Sequence, residues 1–63
     1  MQYVIREKRQ SLKISQEELA KLSKVSRETI YKLESGKEVE VKINTLEALS
    51  RVLGCGVSDL FAT

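Results

Sequence analysis

At 63 residues, with 11 basic and 9 acidic side chains, the chain has room for one small domain of formal charge +2. A chain this short buries only about 60% of the surface its unfolded form exposes, so it builds one modest core. Histidine, tryptophan and proline are absent and Cys55 is the single cysteine. That composition excludes Ser-His-Asp and Cys-His catalysis, the usual zinc ligand sets and an internal disulfide. No enzymatic role, metal or cofactor is expected, because a sizeable ligand pocket would consume the core. No uninterrupted apolar run exceeds three residues, whereas a membrane span needs about 20. The N-terminus turns charged at Arg6, so no secretory leader is expected and the expected location is the cytoplasm.

In chain order, Met1, Ile5 and Leu12 form a narrow stripe of helical period and predict a first helix over about 2–11. Ser15-Gln16-Glu17-Glu18 is a capping-box pattern ahead of Leu19, Ala20 and Leu22, which predicts a helix over 16–23. Ser26 opens a third helix, 27–34, and Ser35-Gly36 ends it, since glycine suits the left-handed position after a helix. Glu38 to Ile43 alternates polar and apolar residues, a strand period with nothing in the chain to pair with. It reads as an extended loop whose Val41 and Ile43 cover the core, or as an edge that pairs with a second copy. Asn44 is placed to cap a helix over 45–53, with Leu46, Leu49 and Leu53 at helical spacing and Gly54 at its end. Val57, Leu60 and Phe61 mark a fifth short helix, 57–61. The expected core is Ile5, Leu12, Ile14, Leu19, Ala20, Val25, Ile30, Leu33, Ile43, Leu46, Leu49, Leu53, Val57, Leu60 and Phe61.

Charge divides unevenly along the chain. Residues 1–37 hold nine basic and five acidic side chains, whereas 38–63 hold two and four. A basic part joined to an acidic part suggests a side that faces a polyanion, although small domains also reach such an imbalance by chance.

The informative block runs from Gln16 to Lys37. Two short helices separated by about three residues are forced to cross steeply. Small Ala20 suits their close approach, and Leu19, Val25, Ile30 and Leu33 supply the contacts that fix the angle. Once Ile30 and Leu33 are assigned to the core, the second helix still presents Arg27, Glu28, Thr29, Tyr31 and Lys32. Those side chains are of the kinds that read base edges or hold phosphates.

Gln-Glu-Glu-Leu-Ala at 16–20, Val-Ser-Arg-Glu-Thr-Ile at 25–30 and Leu-Glu-Ser-Gly-Lys at 33–37 resemble the helix-turn-helix of Cro/CI-type (XRE-like) DNA-binding domains. Arg9, seven residues before Gln16, and the segments 45–54 and 57–61 extend the likeness over nearly the whole chain. The resemblance implies an all-α, five-helix bundle of the lambda-repressor-like type filling residues 1–63 as one domain, with the helix-turn-helix at helices 2 and 3. It implies a sequence-specific double-stranded DNA-binding regulator of transcription, most simply a repressor, acting as a homodimer with helix 3 in the major groove.

Carried over by position, Gln16 would hold a phosphate at the start of helix 2. Arg27, Glu28 and Lys32 would face the groove. Arg27 suits guanine O6 and N7, while Glu28 suits cytosine N4 or orients Arg27. Ser26 and Thr29 are phosphate or thymine-methyl candidates, and Ser35 and Lys37 would grip the backbone. Arg9 would pair with Glu34 and tie helix 1 to helix 3. Val39, Val57, Leu60 and Phe61 are the expected dimer surface, with an intramolecular cap on the core as the alternative for Phe61.

Lys24 stands where the family often has glycine, which implies strain of roughly 1–2 kcal/mol if the turn is left-handed. The loop after Gly36 lacks the family's usual proline, and Cys55 replaces a more frequent valine. Plainer readings stand beside these roles. Gln16, Arg27 and Lys32 also fit a solvated helix face, Glu28 also favours a helix N-terminus, and Tyr31 also fits ring packing on its own helix. Cys55 reads first as a small apolar residue rather than a redox switch. An antitoxin-like or adaptor module that binds a protein partner is the alternative function. RNA binding is weaker still, since tyrosines 3 and 31 are the only tyrosines to stack bases.

Overall fold

Each helix begins or ends where a side chain or an unusual backbone angle satisfies its free groups. The structure, a computed structural model, describes residues 3–36 and 41–61. Among these residues it holds four α-helices, α1 (Ile5–Ser11), α2 (Gln16–Ser23), α3 (Arg27–Glu34) and α4 (Ile43–Leu53), followed by one 3-10 turn, Val57–Leu60. The five-helix expectation is therefore corrected. The fifth segment is a single turn, because the Asp59 carboxylate accepts the Gly56 N–H at 3.0 Å and Phe61 already has extended angles.

The helix-turn-helix boundaries agree with the sequence reading. The Ser15 hydroxyl accepts the Glu18 N–H at 3.0 Å and the Glu18 carboxylate accepts the Ser15 N–H at 3.3 Å, a complete capping box. The Ser26 hydroxyl accepts the Thr29 N–H at 3.2 Å and starts α3. Between the two, Lys24 takes left-handed angles, φ 59° and ψ 26°. Buried Ser23 closes this turn: its hydroxyl donates to the Leu19 carbonyl at 2.6 Å and accepts the Val25 N–H at 3.3 Å.

Two helix starts differ from expectation. α1 begins at Ile5 rather than near residue 2. The preceding residues run antiparallel to the C-terminal segment, with the Val4 N–H on the Leu60 carbonyl at 2.8 Å and a single bridge between Tyr3 and Phe61. α4 is capped by Lys42, which makes no side-chain cap bond, and Asn44 lies inside the first turn.

The core is Ile5, Leu19, Ile30, Leu33, Leu46, Leu49, Leu53 and Leu60, with Ile14, Ala20, Val25, Val41, Cys55, Val57 and Phe61 partly buried against it. Leu12 and Ile43 are corrections, both being exposed. Leu12 caps α1 just before Lys13 turns left-handed at φ 59°, and the reversal leaves its side chain outside. Ile43 opens α4 and sits roughly a quarter turn off the Leu46, Leu49 and Leu53 stripe. Val41 does pack on the core as expected, while residues 38–40 of the alternating segment lie outside the described residues.

Lys24 holds the left-handed turn without the glycine that costs least there. Lys24→Gly is expected to stabilise the domain by about 1 kcal/mol, less the entropy glycine adds to the unfolded chain. Thermal melting followed by circular dichroism should show a rise of a few degrees.

Candidate functional site

The outward face of α3 is defined by what its inward face buries. Ile30 and Leu33 are in the core. At 3.6 residues per turn, Arg27, Glu28, Tyr31 and Lys32 then share the opposite side, and all four are exposed. Lys32 and Glu28 form an i,i+4 ion pair of 3.3 Å. Both side chains are well exposed, so the pair is worth little and gives way to a better partner at small cost. Arg27 has no hydrogen bond or ion pair among the described residues, which leaves its fork of donors open. Ser26 and Thr29 are turned to each other, with their hydroxyls 2.8 Å apart, so both serve first to start α3. The Ser35 hydroxyl donates to the Lys32 carbonyl at 2.7 Å. Lys37 and Val39 lie outside the described residues.

Behind this face sits a buried ionic cluster centred on Glu34. Its side chain is 0% exposed, and that of Arg9 is 12% exposed. Arg9 donates through Nε to Oε2 at 2.8 Å and through Nη2 to Oε1 at 2.9 Å. Its remaining terminal nitrogen, Nη1, donates to the Ile14 carbonyl at 2.9 Å. One guanidinium thereby joins α1, the turn after it and the end of α3, which is the pairing expected of Arg9 and Glu34. Gln16 Nε2 also donates to Oε1, at 3.1 Å, and Arg6 Nε lies 3.4 Å from the same oxygen.

Burial pushes the Glu34 carboxyl up. The bonds from Arg9 and Gln16, the Arg9 charge and the bond from Arg6 together outweigh it and hold the group below its ordinary value near 4.5. The bond to Glu34 in turn raises Arg9.

The expected site residues therefore fall into separate groups. Arg27, Glu28, Tyr31 and Lys32 come together on one surface. Gln16 lies at the adjoining start of α2, with its amide nitrogen already on Glu34. Sequence reasoning did not foresee that bond, nor Arg6 beside it. The signal for Arg6 was its i,i+3 spacing from Arg9, which puts both on one face of α1.

Leu60, expected both in the core and on the dimer surface, is in the core. It is fully buried in its own chain and offers no side chain to a second copy. Val57 and Phe61 are half-buried. The Phe61 ring packs on Tyr3, with centroids 5.0 Å apart and planes tilted by 36°. Cys55 is half-buried against the core. The described residues contain no cluster of metal-ligating side chains and no helix long and apolar enough to cross a membrane.

Comparison with known proteins agrees with this geometry. A family described as helix-turn-helix matches residues 5–60. Proteins named as HTH-type transcriptional regulatory proteins in Methanococcus maripaludis strains C5 and C7 are each 43% identical over 61 residues. The aligned region covers 89% of this chain and 19% of either relative, so the chain spans about a fifth of the length of the relatives it matches. No solved structure matches the chain at a significant level.

Removing Glu34 would leave Arg9 charged and largely buried without its partner. Glu34→Ala is expected to cost about 3 kcal/mol or more, against a total of roughly 3–9 kcal/mol for a chain of this length. Denaturant unfolding checks the loss. Because the Glu34 carboxyl is depressed in the folded state, its contribution is complete above about pH 4.5 and is lost as pH falls through the folded value. The difference between wild type and variant should therefore be constant from pH 7 to 5 and shrink on further acidification.

Proposed function

The chain belongs to the helix-turn-helix family of Cro/CI type, and from that premise we propose that it binds double-stranded DNA sequence-specifically and regulates transcription. The observation that carries this reading is the division of α3. Two apolar side chains anchor the helix, and four long polar or aromatic ones stand together outside, with the Arg27 guanidinium unpaired among the described residues. Such a helix fits the major groove, where Arg27 meets guanine O6 and N7 and Glu28, once released from Lys32, meets cytosine N4. α2 crosses the phosphate backbone, with Gln16 at its start. The names of the similar proteins support the regulatory part of the reading.

A domain this small buries about 600–1,000 Å² on DNA, too little for strong specificity by itself. We therefore infer a homodimer on a two-fold site with half-sites about one helical turn apart. A repressor needs nothing more than such occupancy of a promoter. Val57 and Phe61, half-buried at the C-terminal turn, are the dimer residues that remain on the described surface.

Fluorescence anisotropy with a random duplex, then with sequences selected from a random pool, tests the reading. Binding should weaken steeply with salt, in proportion to the phosphates neutralised, and the selected site should be a palindrome. Arg27→Ala is expected to cost about 1–3 kcal/mol and to relax preference at one base position, whereas Gln16→Ala weakens all sequences alike. If no duplex binds even at low salt, the DNA reading is wrong. If both variants lose only general affinity, α3 is not the reading helix.

A further inference from the structure

We propose that Arg6 of α1 is a further phosphate-binding residue, held by Glu34 beside Gln16 so that both side chains meet the same stretch of DNA backbone. The inference rests on the DNA-binding reading above and adds a contact from outside the helix-turn-helix.

Three donors converge on one oxygen. Glu34 Oε1 accepts from Arg9 Nη2 at 2.9 Å, Gln16 Nε2 at 3.1 Å and Arg6 Nε at 3.4 Å. Sharing an atom, the Arg6 and Gln16 side chains lie next to each other. Arg9 alone already neutralises the carboxylate through both its oxygens. Arg6 is the second guanidinium on a single carboxylate, so its charge is surplus within the cluster.

Exposure separates the two arginines. The Arg9 side chain is 12% exposed and the Arg6 side chain 54%. With Nε on Glu34, the remaining N–H donors of Arg6 have no partner among the described residues. The acidic residues at the neighbouring start of α2 are engaged elsewhere: Glu17 lies 3.7 Å from Lys21, and Glu18 is in the capping box with Ser15. An arginine fixed at Nε with both terminal nitrogens open is preorganised for the bidentate grip that phosphate favours. Glu34 thus acts as a positioning residue, setting Arg6 and Gln16 at one place on the surface.

The test measures affinity for a random duplex over a series of salt concentrations, with wild type, Arg6→Gln, Arg6→Lys and, as a charge control, Arg51→Gln on α4. Arg6→Gln should bind severalfold more weakly, with its log–log salt slope reduced by about 1. It should keep the helical circular dichroism of the wild type and melt within a few degrees of it. Arg6→Lys should restore most of the slope, and Arg51→Gln should leave it unchanged. A wild type with a steep slope and an Arg6→Gln variant of equal slope overturns this inference alone. So does an Arg51→Gln variant that loses as much slope as Arg6→Gln, because the effect is then net charge. A wild type with no salt-dependent binding overturns the DNA reading and this inference with it. Should Arg6→Gln fail to fold, Arg6→Lys decides: a slope reduced by about 1 despite the retained charge also overturns the placement.

Discussion

The Arg9–Glu34 pair is the constraint on which the arrangement of the first three helices depends. α1 is seven residues long and buries only Ile5, too little apolar surface to fix its position by packing alone. The guanidinium supplies what the core cannot, bonding the end of α3 and the carbonyl of Ile14 together. Taking two charges out of water is costly, and a pair like this persists only when its donors and acceptors are all served. Here every nitrogen of Arg9 has an acceptor, and no buried side-chain polar atom among the described residues lacks a partner.

The same pair governs the surface. Glu34 is the last residue of α3, so whatever fixes its carboxylate also fixes the axis of the helix that carries Arg27, Tyr31 and Lys32. Gln16, at the first position of α2, is tied to the same carboxylate. The two helices of the motif are therefore joined twice, by the short turn through left-handed Lys24 and by a polar bond at their far side. Among the described residues, this polar tie supplements a core of eight buried apolar side chains. Among the described residues, the ion pair on the exposed face of α3, Lys32 with Glu28, is of the weak, solvated kind.

Legibility in the sequence followed the range of the interactions. The boundaries of α2 and α3 were readable because local chemistry sets them: Ser15 with Glu18 and Ser26 with Thr29 lie within one turn of the groups they satisfy. The inward residues Leu19, Ile30 and Leu33 were readable from helical period. Asn44 misled, because cap preference describes what a residue favours and not where the chain straightens. At α4 that point is Lys42. Leu12 and Ile43 misled because apolar character says nothing about which side of a turn the chain takes. The start of α1 and the single turn at the C-terminus were hidden by a pairing between residues nearly 60 positions apart, Tyr3 with Phe61. No local pattern announces such a pairing.

Legible in the amino-acid sequence are an all-helical domain that lacks histidine and the usual zinc ligand sets, a capped helix-turn-helix, and a polar outer face on the second helix of that motif. Capping and periodicity act over three or four residues, and composition acts over the whole chain, so both can be read without coordinates. The tertiary structure alone brings Arg6 and Gln16 onto one oxygen of Glu34 and sets the Phe61 ring against Tyr3. Those outcomes depend on the directions of side chains brought together from distant positions, where a small rotation of one helix decides which groups meet. The bias of positive charge toward the first 37 residues thereby gains a location. Part of it, Arg9, is buried as structure, and part, Arg6, Arg27 and Lys32, remains on the surface.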